Sequence, residues 1–211
     1  ISGDTRFDRV GAIEEPLAFM ETFVGLRKCI IAGSTWPEDE AILRESIRQT
    51  PKDWCWLIAP HEIHGEKLNQ LMTQLPKESL RFTQNEEAAF DGCPVLVLDT
   101  VGMLSRCYPY ASLAYVGGGM GNAGLHNILE PAAQGVPIII GKNYDRFVEA
   151  KDLIAQGGVI SIDNADDCSK QLSILQENDA LRSEKGNTNK SYVLTNKGAT
   201  LKIVSILNQN L

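Results

Sequence analysis

Seven short apolar runs alternate along this chain with stretches whose apolar residues recur at helical spacing, and that alternation limits what it can fold into. The runs cover residues 28–32, 54–59, 80–83, 95–99, 113–116, 136–140 and 159–162. Several are apolar throughout, the pattern of strands covered on both faces by helices. Between them, residues 37–48, 66–74, 102–108, 125–134, 146–156 and 165–176 carry helical patterns. Repeated strand–helix units joined by right-handed crossovers predict an α/β fold with a parallel, doubly wound, Rossmann-like sheet. The 211 residues show no internal repeat and no low-complexity linker.

Charge and cysteine usage narrow the partners. With 27 acidic against 20 basic residues and a net charge of -7, the chain lacks the basic face that neutralising nucleic-acid phosphates requires. No apolar run approaches the roughly 18 residues of a membrane span. Five scattered cysteines (Cys29, Cys55, Cys93, Cys107 and Cys168) form no C-x-x-C pair, which fits a reduced, cytosolic compartment. His61 and His64 find no Cys, Asp or further His placed to complete a metal-ligand set, so no metal site is expected.

Both ends differ from the middle. The chain opens Ile-Ser-Gly-Asp-Thr-Arg, without Met or signal-peptide features, and is therefore expected to be a piece of something longer. Residues 1–27 hold no strand candidate, and residues 177–211 read as two polar helices broken near Gly186 and Asn187. These flanks are expected to be packing or interdomain helices.

The densest chemical signal is a glycine-rich turn. Leu113-Ala-Tyr-Val runs into Gly117-Gly118-Gly119-Met120-Gly121-Asn122-Ala123-Gly124 and then into a helical pattern from Leu125. Glycines let a backbone approach a ligand closely, and a helix start offers free N–H groups to an anion. Gly118, Gly119 and Gly124 are accordingly candidate phosphate-site residues. Two ligands fit. Residues 119–124 satisfy G-x-G-x-x-G with Asp145 lying 21 residues beyond Gly124, the layout of a dinucleotide fingerprint and thus of a nicotinamide-dependent oxidoreductase. The fingerprint normally opens the first βαβ unit, however, and here about four strands precede it. A sugar nucleotide is the other ligand: Asn127 and Glu130, three apart at the expected helix start, share one face from which a carboxylate reaches ribose hydroxyls. Upstream, the first strand ends in Gly33-Ser34-Thr35-Trp36-Pro37-Glu38. Thr35 and Glu38 there fit a capping box, and Ser34 lies at the ligand-binding edge of the sheet.

These residues also carry a family resemblance. The stretch from Tyr115 through the glycine turn to Leu125-His-Asn-Ile-Leu-Glu-Pro-Ala-Ala-Gln-Gly-Val-Pro-Ile-Ile-Ile-Gly-Lys-Asn-Tyr144 resembles the donor-binding core of the 3-deoxy-D-manno-octulosonic acid (Kdo) transferases. Gly3-Asp-Thr-Arg-Phe-Asp-Arg-Val10, Ala32-Gly-Ser-Thr-Trp-Pro-Glu-Asp-Glu40 and Leu98-Asp-Thr-Val-Gly-Met-Leu104 are similar to three more of that family's motifs, in the same order. The resemblance implies a glycosyltransferase of GT-B type, of which this chain is the C-terminal, donor-binding half. The expected whole transfers Kdo from CMP-Kdo to the lipid A precursor, with inversion, at the cytoplasmic face of the bacterial inner membrane. No tightly bound cofactor is implied. The general base and the acceptor surface are expected in an N-terminal half, so the chain alone is expected to have little or no transfer activity.

Carried onto this sequence, the implied CMP contacts are Pro60 and His61, then Val101, Gly102 and Met103, then Asn127, Ile128, Leu129 and Glu130. Two departures stand out. Many members have Pro-Arg-His-Pro where this chain has Pro60-His61-Glu62-Ile63, so a guanidinium is missing and His61 or Lys142 is left to replace it. Many also have Gly-Glu-Leu in place of Gly102-Met103-Leu104, which confines Met103 to backbone or apolar contact. A non-enzymatic nucleotide-binding module is the remaining alternative.

Overall fold

The alternation resolves into a seven-stranded, all-parallel sheet in a computed structural model that describes residues 3–11 and 15–209. The strands are β1 (Lys28–Thr35), β2 (Trp54–Pro60), β3 (Leu80–Arg81), β4 (Val95–Val97), β5 (Leu113–Val116), β6 (Ile138–Gly141) and β7 (Val159–Ile162). Their order is β3-β4-β2-β1-β5-β6-β7. The chain therefore starts at the centre with β1, adds β2, places β3 at the edge and fills the gap with β4, then crosses back to lay β5 on the other side of β1. That reversal is the topological switch point, and in open α/β sheets the crevice beside it, at the carboxyl ends of the strands, is where ligands bind.

Strand pleating divides the core in two. Cys29 and Ile31 of β1 and Cys55, Leu57 and Ala59 of β2 face one side; they pack with α1 (Ala18–Val24), α5 (Leu129–Ala133) and α6 (Val148–Ala155). Ile30, Ala32, Trp54, Trp56 and Ile58 face the other, against α2 (Pro37–Arg48), α3 (Gly65–Gln74) and α7 (Ala165–Glu177). Alternate residues of one strand thus feed two helical layers, which is why the strands read as apolar throughout.

Several boundaries depart from the sequence pattern, each for a local reason. β3 stops at Arg81 because the Thr83 N–H and hydroxyl both donate to Asp99 (2.9 and 2.6 Å), turning the chain out of the sheet. β6 begins at Ile138, since Pro137 has no N–H for the ladder. The stretch expected as one helix over residues 102–108 is α4 (Leu104–Cys107) followed by a 3₁₀ turn through Pro109. The break expected near Gly186 is absent: α8 (Asp179–Asn196) runs unbroken and ends at Lys197, with α9 (Ala199–Gln209) following. Gly186 lies where α8 presses on the Gly135 backbone, and a side chain there would overlap the Gly135 carbonyl. One turn later, buried Asn189 donates to the Val136 and Gly158 carbonyls (2.7 and 3.0 Å).

The two flanks pack on each other. Asp8, in a 3₁₀ turn over Thr5–Arg9, accepts from the Gly198 and Thr200 N–H groups, and Lys197 donates to the Val10 carbonyl. Arg6 pairs with the buried Glu149 of α6 at 2.7 Å. Leu201, Val204, Ile206 and Leu207 of α9 remain exposed.

Candidate functional site

The site is organised by a residue the sequence reading passed over. Asp39, fully buried in the first turn of α2, accepts from the Trp36 N–H (2.9 Å), the Tyr115 hydroxyl (2.7 Å) and the Gly118 N–H (2.8 Å). One carboxylate thus caps α2 and fastens the loop after β5 to the turn after β1. The expected capping box at Thr35 and Glu38 does not form; one residue further on, Asp39 accepts the Trp36 N–H, Trp36 has no side-chain acceptor to return the bond, and Pro37 fills the first helical position. Thr35 instead donates to Glu40 at 3.0 Å. In the sequence Asp39 is the middle one of three adjacent acids, Glu38, Asp39 and Glu40. Its single signal was a Tyr at the centre of a strand that is otherwise purely aliphatic.

The glycine turn spends its first residues on the protein itself. A side chain at Gly117 would overlap the Ser34 carbonyl, one at Gly118 (φ 90°) the Gly124 carbonyl, and one at Gly119 the Gly141 backbone. The Gly117 N–H donates to the Gly33 carbonyl and the Gly118 N–H to Asp39. These two N–H groups are therefore not offered to a ligand. Beyond them the picture changes: among the described residues, the backbone N–H groups of residues 119–125 donate to no protein acceptor. Asn143, in the loop after β6, holds this part of the turn by donating its backbone N–H to the Gly119 carbonyl and its side-chain amide to the Met120 and Gly121 carbonyls.

Helix α5 starts at Leu129, four residues later than its apolar spacing suggests. Asn127 precedes the helix, and its side-chain oxygen accepts the Leu129 N–H at 3.1 Å. Its amide nitrogen donates to Glu130 at 3.1 Å, so the two residues are brought together as expected, although not along one helix face. Partial burial raises the Glu130 carboxyl above its ordinary range, against the lowering effect of the Asn127 hydrogen bond. Ile128 and Leu129 are core residues with 1% and 0% exposure, so only their backbones can meet a ligand.

The remaining expected residues line the same edge. Ser34 is the one non-glycine residue with positive φ (54°) among those described, at a bulge in the β1–β2 pairing. Pro60 closes β2, and the His61 N–H donates to the Thr35 carbonyl. The exposed His61 ring stacks on Trp36 (4.4 Å between centroids) and lies 4.7 Å from His126. Trp36 donates its indole N–H to His126 Nε2 at 3.0 Å, which keeps that imidazole neutral. Burial, and then neighbouring His61, lower the His126 pKa further. Val101 and Gly102 are exposed, with Gly102 left-handed (φ 82°), and Met103 caps α4. Lys142 is exposed just past β6. Among the described residues no three His, Cys, Asp or Glu side chains cluster as metal ligands, and no helix is long and apolar enough to cross a membrane.

No family model matches the chain. Its sequence is nevertheless 30% identical over 184 residues to the 3-deoxy-D-manno-octulosonic acid transferase of Haemophilus influenzae, covering 84% of this chain and 43% of that protein. The chain is a relative of the Kdo transferases. The same transferase of Chlamydophila psittaci is 30% identical over 137 residues, or 64% of this chain and 31% of that one. The chain spans less than half the length of these curated Kdo transferases. Among solved structures it resembles the C-terminal CMP-Kdo binding domain of WaaA from Acinetobacter baumannii, with a TM-score of 0.68 and 19% identity over 84% of this chain and 98% of that domain. The fold is thus the doubly wound, Rossmann-like sheet found in GT-B glycosyltransferase structures. The nicotinamide alternative finds no support in this kinship with Kdo transferases. The geometry also disfavours it, because no helix opens on residues 119–124 and Asp145 sits in an exposed loop rather than at a strand tip.

Proposed function

We propose that this chain is the donor-binding half of an inverting glycosyltransferase that moves Kdo from CMP-Kdo to the lipid A precursor in lipopolysaccharide synthesis. It does so at the cytoplasmic face of the bacterial inner membrane. The acceptor, the general base and the membrane contacts belong to an N-terminal half in this reading, and residues 1–27 and 177–211 serve as packing or interdomain helices. The observation that carries the proposal is the Asn127–Glu130 pair, held next to the glycine turn at the switch point. Glu130, already desolvated and held by one amide donor, accepts the two ribose hydroxyls. The unspent N–H groups of Gly119 and Met120 face the phosphate, acting as fixed dipoles that stabilise the leaving CMP. Ser34, Pro60, His61 and residues 101–103 complete the cytidine side of the crevice.

Calorimetric titration of the chain with CMP and NAD tests this. CMP binds, and Glu130→Ala weakens it at least about tenfold, the loss of a hydrogen bond to a charged group. Because the Glu130 pKa is raised, cytidine affinity falls on acidification before the ordinary carboxylate range is reached. Tight NAD binding with no cytidine response sinks the reading.

A further inference from the structure

The departure from the family pattern removed a guanidinium from the loop after β2, and the structure shows another elsewhere on this edge. Between the glycine turn and the loop joining β6 to α6 lies an open cleft of about 370 Å³, lined by Gly121, Asn122, Gly124, Asn143, Asp145 and Arg146, with the Phe147 ring beside Gly124. The cleft is built: Asn143 ties its two walls together through three hydrogen bonds to the Gly119, Met120 and Gly121 carbonyls. One wall is formed by Gly121, Asn122 and Gly124, whose N–H groups donate to no acceptor among the described residues. The other carries Arg146, which is exposed and has no ion-pair or hydrogen-bond partner among the described residues. Asp145 on the same wall is a carboxylate, so the cleft is not a bare anion hole. A cation, a row of N–H donors and a carboxylate acceptor together suit a ligand that carries both an oxyanion and hydroxyl groups.

We propose that this cleft is the subsite for the carboxylated sugar of the donor, with Arg146 paired to the sugar carboxylate and Asp145 accepting from its hydroxyls. A guanidinium matches a planar carboxylate through two parallel hydrogen bonds, a geometry that neither Lys142 nor His61 provides. His61 is in any case engaged in the aromatic stack with Trp36 and His126. This assignment rests on the proposed donor-binding function, and it places the specificity for an acidic sugar in the loop after β6 rather than in the loop after β2.

The test is a heteronuclear NMR titration of the 211-residue chain with free Kdo, CMP and cytidine, following the Arg146 Nε–H signal and the amides of residues 121–124. Free Kdo is expected to move these signals in the wild type. Arg146→Gln is expected to weaken Kdo about tenfold while leaving CMP affinity unchanged, and Arg146→Lys to recover only part of the loss. Arg146 is exposed and has no ion-pair or hydrogen-bond partner among the described residues, so both variants are expected to fold. The assignment is overturned if Kdo leaves these signals unmoved. It is also overturned if Arg146→Gln weakens CMP as much as Kdo, which puts the phosphate in the cleft. Should Kdo bind here while CMP and cytidine produce no shift anywhere, the nucleotide reading fails and the sugar-acid subsite stands.

Discussion

Two aspartates lie buried at the carboxyl edge of one sheet, and they are held in opposite ways. Asp39, at the centre beside the switch point, is surrounded by three neutral donors from three segments. Asp99, at the rim past β4, is paired with the Arg81 guanidinium at 2.8 Å and with Thr83. The rim aspartate closes a ladder that has run out of strand, since β3 contributes only two residues. The central one locates two ligand-edge loops relative to each other, and does so without bringing a cation into the crevice proposed to receive the donor phosphate. Position in the sheet, more than burial, separates a stabilising carboxylate from an organising one.

Substitutions can break or sharpen this contrast. Asp39→Ala strands the Tyr115 hydroxyl and the Gly118 N–H without acceptors, each costing about 1–3 kcal/mol, and unlatches the glycine turn. A loss on the order of 3–5 kcal/mol in urea unfolding is expected, together with loss of CMP binding; a cost within about 1 kcal/mol erases the distinction. Tyr115→Phe removes one of the three donors and is expected to cost about 1.5 kcal/mol. Combined with Asp39→Ala it adds little, because the two share one interaction.

The smallest effect at neutral pH is expected from Asp99→Asn, about 1 kcal/mol, because the isosteric amide keeps one oxygen to accept from Thr83 and leaves the partly exposed Arg81 to water. Its signature lies in acid instead. Burial raises the Asp99 pKa, but the Thr83 hydrogen bonds and the Arg81 charge outweigh it and hold the carboxyl below its usual value. The resulting stability is present above the unfolded value, near about 4, and is lost as pH falls through the folded one. Unfolding midpoints measured down the acid limb should therefore decline less steeply in Asp99→Asn than in the wild type. An unchanged slope removes Asp99 from the account.

The sheet was legible because its strands are buried on both faces. Residues 113–116 and 159–162 match β5 and β7 to the residue, as residues 37–48 match α2. Misreadings came where a side chain or a close approach overrides periodicity. Leu125, Ile128, Leu129 and Ala132 have helical spacing, yet Asn127 captures the Leu129 N–H and delays the helix. Gly186 looked like a breaker and is a contact point, because the Gly135 backbone it meets lies 51 residues earlier. At the site, the glycines and the Asn127–Glu130 pair were readable as local patterns. Asp39, Trp36 and His126 were not, since they meet across the separate turns that follow β1, β2 and β5, and no spacing along the chain announces those meetings.

The stack around Trp36 also gives the molecule an optical voice. Of the chain's three tryptophans, Trp54 and Trp56 are sealed in β2 with 3% and 1% exposure. Trp36 alone sits half-exposed at the crevice, layered against His61 and bonded to His126. Protonated imidazole quenches indole emission, so light emitted from this one residue reports the charge and occupancy of the crevice without any label.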